Sequence, residues 1–202
     1  MRVTLACKCN LWAFSFLCVS CVISYVFLQE SSLSSVCAQE FAPGIEAPPF
    51  ELPDLLTGRP CALKNFSGRL VLLNFWATWC TTCVAEMPGL QRLYLSFKDQ
   101  GLEVISINVD PKNEETKVRK FIHSYGISFP VLADPEMHIP AIYQLTGYPE
   151  TFFISPDGKI MEFLDPIALR SVVRIVSDRP WDSPLYMKSV GELLSSAKRS
   201  RP

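Results

Sequence analysis

Between residues 43 and 197 the apolar positions come in short runs, and their spacing changes from one run to the next. Residues 70–76 (LVLLNFW) and 102–109 (LEVISINV) are nearly continuous apolar stretches, which predicts strands covered on both faces. Residues 83–98 switch to helical spacing, with Leu90, Leu93, Tyr94 and Phe97 on one side, Pro88 as a bend near the start and Gly101 as the stop. A charged helix follows over 113–125, then strands over 130–133 and 151–155. Pro156-Asp157-Gly158 predicts a hairpin turn into a strand over 159–164, and helical patterning resumes over 167–176. Ahead of all these, 50–52 and 61–63 predict a small hairpin around the turn Thr57-Gly58-Arg59-Pro60. After a break at 178–184, residues 187–197 predict a last amphipathic helix, with Trp181 as its anchor against the domain. Strands alternating with helices and closing on an antiparallel hairpin give an α/β fold, a mixed sheet with helices on both faces. No internal repeat is visible.

The N-terminus follows a different pattern. Residues 11–28 (LWAFSFLCVSCVISYVFL) carry no charge; Arg2 and Lys8 precede them and Glu30 is the first acid after them. A cationic start before an apolar run of this length predicts a membrane segment that sends the rest of the chain across. Two readings stand. One is an uncleaved anchor; the other is a signal peptide cleaved near Val36-Cys37-Ala38. The organisation is therefore an anchor or signal segment over 1–30, a linker over 31–42, a main domain over 43–178 and a C-terminal extension over 179–202.

Composition narrows the function classes. The chain has 202 residues, 49% hydrophobic and 19% charged, enough apolar content for a packed core. Its formal net charge is −1, without the clustered Lys/Arg surface that a nucleic-acid backbone requires. Of its eight cysteines, Cys7, Cys9, Cys18, Cys21 and Cys37 lie in or beside the N-terminal segments, leaving Cys61, Cys80 and Cys83 for the domain. Cys61 reads as a small buried side chain rather than a reactive one.

Cys80 and Cys83 stand where a strand ends and a helix begins. The free N–H groups and the dipole of a helix start favour an anion, and thiols so placed fall from about 8.5 toward roughly 3.5–7.5. Two intervening residues in the first turn bring the second sulfur within disulfide range. Cys80 is then the exposed nucleophile that attacks a partner, and Cys83, one turn in, the shielded thiol that resolves the mixed disulfide. A zinc site needs four ligands, and the two histidines, His123 and His138, stand at no ligand spacing; the reading has neither metal nor cofactor. Glu86 lies one turn beyond Cys83 on the same helical side. It is either the acceptor for the proton that Cys83 loses or a solvated acid favoured by the helix dipole.

The stretches Asn74-Phe75-Trp76-Ala77-Thr78-Trp79-Cys80-Thr81-Thr82-Cys83, Glu86-Met87-Pro88 and Gly147-Tyr148-Pro149-Glu150-Thr151-Phe152 resemble the TlpA/ResA-like branch of the thioredoxin superfamily, over residues 41–167. The resemblance implies a thioredoxin-like fold and a thiol–disulfide oxidoreductase. It implies that Pro149 is a cis proline whose loop faces the cysteine pair, and that Trp79, Tyr148 and Pro149 contact an extended substrate segment. It also implies that Glu86 takes the proton-accepting duty that other thioredoxins give to an Asp at the position of Asn74. The expected partners are protein disulfides, apocytochrome c among them, and a membrane electron donor. The expected place is a bacterial-type cell envelope, periplasmic or on the outer face of the cytoplasmic membrane. Thr82 departs from relatives that carry Pro before the second cysteine, so no redox poise carries over. An envelope oxidase or isomerase using the same pair stays open, as does, from another class, a non-catalytic metal carrier or assembly factor.

Overall fold

The structure, a computed structural model, describes residues 41–199. The expected anchor or signal segment and most of the linker, with Cys7, Cys9, Cys18, Cys21 and Cys37, lie outside the described residues. Among the described residues no helix is long and apolar enough to cross a membrane.

A five-stranded mixed sheet organises the domain, in the order β5 (Val131–Ala133), β4 (Leu102–Asn108), β3 (Leu70–Trp76), β6 (Glu150–Ile154), β9 (Arg174–Val176). Strands β3, β4 and β5 are parallel, while β6 is antiparallel to both β3 and β9. Every residue of β3 and β4 is buried, as their unbroken apolar runs predict. Alternation sorts them onto two faces. Leu70, Leu72, Trp76, Val104 and Phe153 join one core cluster with Met87, Leu90 and Leu93 of α1 (Thr81–Phe97) and Val118 and Ile122 of α2 (Glu115–Ser124). Val71, Leu73, Phe75, Ile105, Ile107 and Phe152 face a second cluster, closed by Phe41, Phe50, Tyr143 and Ile139 of α3 (His138–Ile142). The predicted N-terminal hairpin is β1 (Glu51–Pro53) with β2 (Pro60–Ala62). Helix α1 runs unbroken through Pro88.

Two expectations are corrected. Residues 167–176 are not helical. They form β8 (Arg170–Val172), paired with β7 (Phe163–Asp165), and then β9, the sheet's last strand. Val172, Val173, Ile175 and Val176 are β-branched and suit a pleated edge better than a helix, and Ile175 alone in β9 buries its side chain fully. The turn at 156–158 forms, with Gly158 at φ +87° and Ser155 N–H donated by Ser155 to the Lys159 carbonyl at 2.7 Å. The strand expected after it reduces to one bridge, Ile154↔Ile160, before β7 begins.

The segment after residue 178 is built into the core. Trp181 and then Tyr186, Val190, Leu194 and Ala197 of α4 (Pro184–Arg199) belong to the cluster that holds α1. Full burial of one such aromatic or aliphatic side chain contributes roughly 1.5–3 kcal/mol. Gly89 explains how closely this segment approaches α1: a Cβ there would meet Asp182 Oδ1 at 3.0 Å and Trp181 N at 3.6 Å. A mid-helix glycine costs about 1 kcal/mol relative to Ala, and here it admits the chain that passes over it.

Candidate functional site

Strand β3 ends at Trp76, and the next residues are pinned before α1 starts. The buried Asp110 carboxylate accepts from Thr78 N–H (2.7 Å), the Thr78 hydroxyl (2.7 Å) and Asn108 Nδ2 (2.7 Å). Cys80 then serves as the N-cap of α1: its Sγ accepts from Cys83 N–H at 3.2 Å, and its carbonyl accepts from Val84 N–H at 3.0 Å. Helix α1 thus begins two residues earlier than its apolar spacing indicates. The two sulfurs form a disulfide with the Cα atoms 5.2 Å apart. The hydroxyl of Thr82 lies 3.5 Å from Cys80 Sγ.

Cys83 has no exposed surface and Cys80 keeps 8%. The order of exposure is the expected one, but Cys80 is far more enclosed than a freely exposed thiol, because capping the helix turns its sulfur inward. Trp79 beside it is 58% exposed and meets the Tyr148 ring edge-on at 5.7 Å. The Tyr148–Pro149 peptide bond is cis. The β3–β6 register, which pairs Phe75 with Glu150, carries Pro149 to the end of β3 where the disulfide begins. The loop is fixed from behind: the fully buried Glu150 carboxylate accepts from Thr146 N–H (2.9 Å) and Arg174 Nη1 (3.0 Å), and the Pro149 carbonyl accepts from Ser177 N–H (2.9 Å). Trp79, Tyr148, Pro149, Cys80 and Cys83 therefore meet at one end of the sheet.

Glu86 is buried in α1, 4% exposed, not a solvated helix-start acid. Oε1 accepts from Asn74 Nδ2 at 2.8 Å, and Oε2 accepts from Trp181 Nε1 at 3.0 Å and Arg179 N–H at 3.2 Å. Burial pushes its carboxyl up to about 7, against these three donors, which favour the charged form. Asn74 is itself held by Thr151 Oγ1, to which it donates at 3.1 Å, and by the Ser106 hydroxyl, which donates to Asn74 Oδ1 at 3.3 Å. The position that lacks an acid thus orients the acid that is present.

The residues 179–181 escaped the sequence reading as parts of the site. A lone Trp in a Pro- and Asp-rich break was the only signal, and it marked Trp181 as an anchor without showing what it touches. Arg179 is held by the fully buried Asp165, which accepts from Arg179 Nε (3.0 Å), the Tyr186 hydroxyl (2.6 Å) and the N–H groups of Ile167 and Ala168. Burial would raise the Asp165 carboxyl, but these donors keep it below the usual carboxylate range. Cys61 lies apart from the pair and is half-buried; burial, then Asp54 and Glu103, push its thiol up to about 11. Among the described residues no three His, Cys, Asp or Glu side chains gather as metal ligands.

Residues 43–163 match the family model described as AhpC/TSA family. The chain is 34% identical over 135 residues to the thiol–disulfide oxidoreductase ResA of Bacillus subtilis, covering 67% of this chain and 74% of that protein. It is 40% identical over 119 residues to the ResA of Bacillus thuringiensis, covering 59% of this chain and 67% of that protein. A Chlorobium tepidum structure assigned to the thiol:disulfide interchange proteins superposes with a TM-score of 0.63 at 26% identity, over 78% of this chain and 99% of that one.

Proposed function

Because this chain belongs to the AhpC/TSA family and, within it, to the ResA-like thiol–disulfide oxidoreductases, we propose that it reduces disulfides of exported proteins, with apocytochrome c as a client, through Cys80 and Cys83. The observation that carries the reading is the Cys80–Cys83 disulfide at the start of α1, beside the Tyr148–Pro149 loop and one turn from a buried carboxyl. In the reduced enzyme the Cys80 thiolate attacks one sulfur of the client disulfide, and the other client sulfur leaves as a thiolate and takes a proton. Cys83 gives its proton to Glu86, attacks Cys80 Sγ and displaces the first client sulfur. The client gains two electrons and Cys80–Cys83 becomes the disulfide seen here. A membrane electron donor then restores the dithiol. The apolar run at 11–28 supports a place in the cell envelope, with the domain beyond the cytoplasmic membrane.

Redox equilibrium against glutathione tests the direction of flow. A potential near about −270 mV is expected for a reductase, and one near about −120 mV would make the same pair an oxidase.

Trp79 and Tyr148 are proposed to receive the extended client segment beside the disulfide. Tyr148→Ala is expected to raise KM for an oxidised Cys-x-x-Cys-His peptide about tenfold. Reactivity toward a small disulfide such as oxidised glutathione stays within twofold or so of the parent. Equal losses with both substrates would remove Tyr148 from client binding.

A further inference from the structure

The C-terminal segment reaches the proton-accepting group from outside the region that carries the cysteine motif. We infer that Trp181 is a positioning residue for Glu86: its indole N–H, joined by the Arg179 backbone N–H, holds the carboxylate in the orientation and charge state that Cys83 requires. This rests on the reading of Glu86 as the proton acceptor for Cys83.

Three observations carry it. First, the indole has one polar atom, and in a fully buried side chain that atom is spent on Glu86 Oε2 at 3.0 Å. A buried indole N–H needs an acceptor, and here that acceptor is the carboxyl itself. Second, the segment is fixed on both sides of the contact. Arg179 Nε binds Asp165 Oδ2 at 3.0 Å, and Asp182 Oδ2 accepts from Arg92 Nε of α1 at 2.7 Å. Third, Gly89 lies one turn beyond Glu86 on the same helix and leaves space for the backbone of Trp181 and the Asp182 side chain. The helix that carries Glu86 is thus shaped to admit the segment that caps it.

The surrounding charges define what the indole does. Asp178 opposes ionisation of Glu86 through its negative charge. The Arg179 and Arg92 guanidiniums are engaged by Asp165 and Asp182, and Asn74, facing from β3, is neutral. Cys83 is the ionisable group one turn before Glu86 on α1. With no cation paired to it among the described residues, the Glu86 carboxylate depends on neutral donors to exist in a dry site. Trp181 supplies one of three.

Trp181→Phe keeps the ring and removes the donor. A hydrogen bond to a charged group is worth enough that its loss raises the proton affinity of Glu86 roughly tenfold. The measurement is the carboxyl ¹³C titration of glutamate-labelled oxidised protein, with the Glu86 signal identified by its absence in Glu86→Gln. An unchanged midpoint in Trp181→Phe overturns the inference. A raised midpoint supports it, and the pH profile of mixed-disulfide resolution then tests the reading beneath: if that profile stays put while the midpoint rises, Trp181 positions Glu86 but Glu86 is not the acceptor. Should Trp181→Phe fail to fold, the parent protein decides. Its Trp181 indole ¹H–¹⁵N resonance is expected to shift with the Glu86 midpoint, and a resonance unmoved through that range overturns the inference equally.

Discussion

Cys83→Ser is expected to leave the enzyme covalently joined to its client through Cys80, whereas Cys80→Ser joins to nothing. The asymmetry follows from the helix start. Cys80 Sγ receives the Cys83 N–H at 3.2 Å and sits where the helix dipole favours an anion, so in the reduced protein the proposed attacking thiolate is expected there. Cys80 also holds the pair's remaining exposed surface, 8% against none for Cys83. On the proposed mechanism client sulfur meets Cys80 first, and Cys83, bonded to Cys80 in this structure, is placed to release it. Turnover of either variant on a protein disulfide is expected to fall at least about a thousandfold, since each cysteine is needed once per cycle. Non-reducing electrophoresis of envelope preparations, followed by mass spectrometry of the trapped species, reads the result and identifies the client. Traps formed by Cys80→Ser instead would reverse the two roles.

Glu86→Gln is expected to erase a pH dependence of both stability and rate. The folded protein raises the Glu86 carboxyl from an ordinary 4.5 to about 7, chiefly by burial. Between these values the folded chain holds a proton that the unfolded chain has released. Its contribution to stability is therefore complete below about pH 4.5 and is lost as pH rises through about 7. At 1.36 kcal/mol for each pH unit, that loss is about 3 kcal/mol. Urea midpoints of the oxidised parent should decline across this window, and those of Glu86→Gln should run flatter. Kinetics moves the opposite way. On the proposed mechanism ionised Glu86 accepts the Cys83 proton, so mixed-disulfide resolution in the parent is expected to rise with pH through about 7. Loss of a positioned general base lowers that step on the order of a hundredfold. Stopped-flow resolution across pH 5 to 9, roughly the window that brackets the carboxyl midpoint, is the deciding measurement. A Glu86→Gln profile that overlays the parent would leave the carboxyl a structural role alone. The two effects have one cause: burial makes the proton hard to lose, and a base is useful where its affinity lies near the working pH.

Much of the domain was legible because its signals are local. The unbroken apolar runs of β3 and β4 mark buried strands, and the change to helical spacing after Cys83 marks α1. The cysteine pair could be placed at a strand end and helix start from adjacent residues. Residues 167–176 misled because apolar positions at helical intervals also fit two short strands, and only pairing with β6 and β7 separates the alternatives. Helix α3 over 138–142, with Pro140 in its middle, was not among the expected elements; its Ile139 and the following Tyr143 lie in the second core cluster, a tertiary contact that adjacent residues do not reveal.

By itself the sequence determined the cysteine pair and the fold that presents it, because spacing of three on a first turn and runs of apolar residues act over a few positions. It also placed Glu86 within one turn of Cys83. Tertiary structure alone decided the state of that acid. Its donors come from residues 12, 93 and 95 positions away, and whether a carboxyl is solvated or buried depends on which surfaces close over it. Local pattern cannot encode that closure. The free energy that brings Trp181 over Glu86 lies in the packing of α4 and the 179–182 segment against α1, and the same packing sets the acid's affinity for its proton.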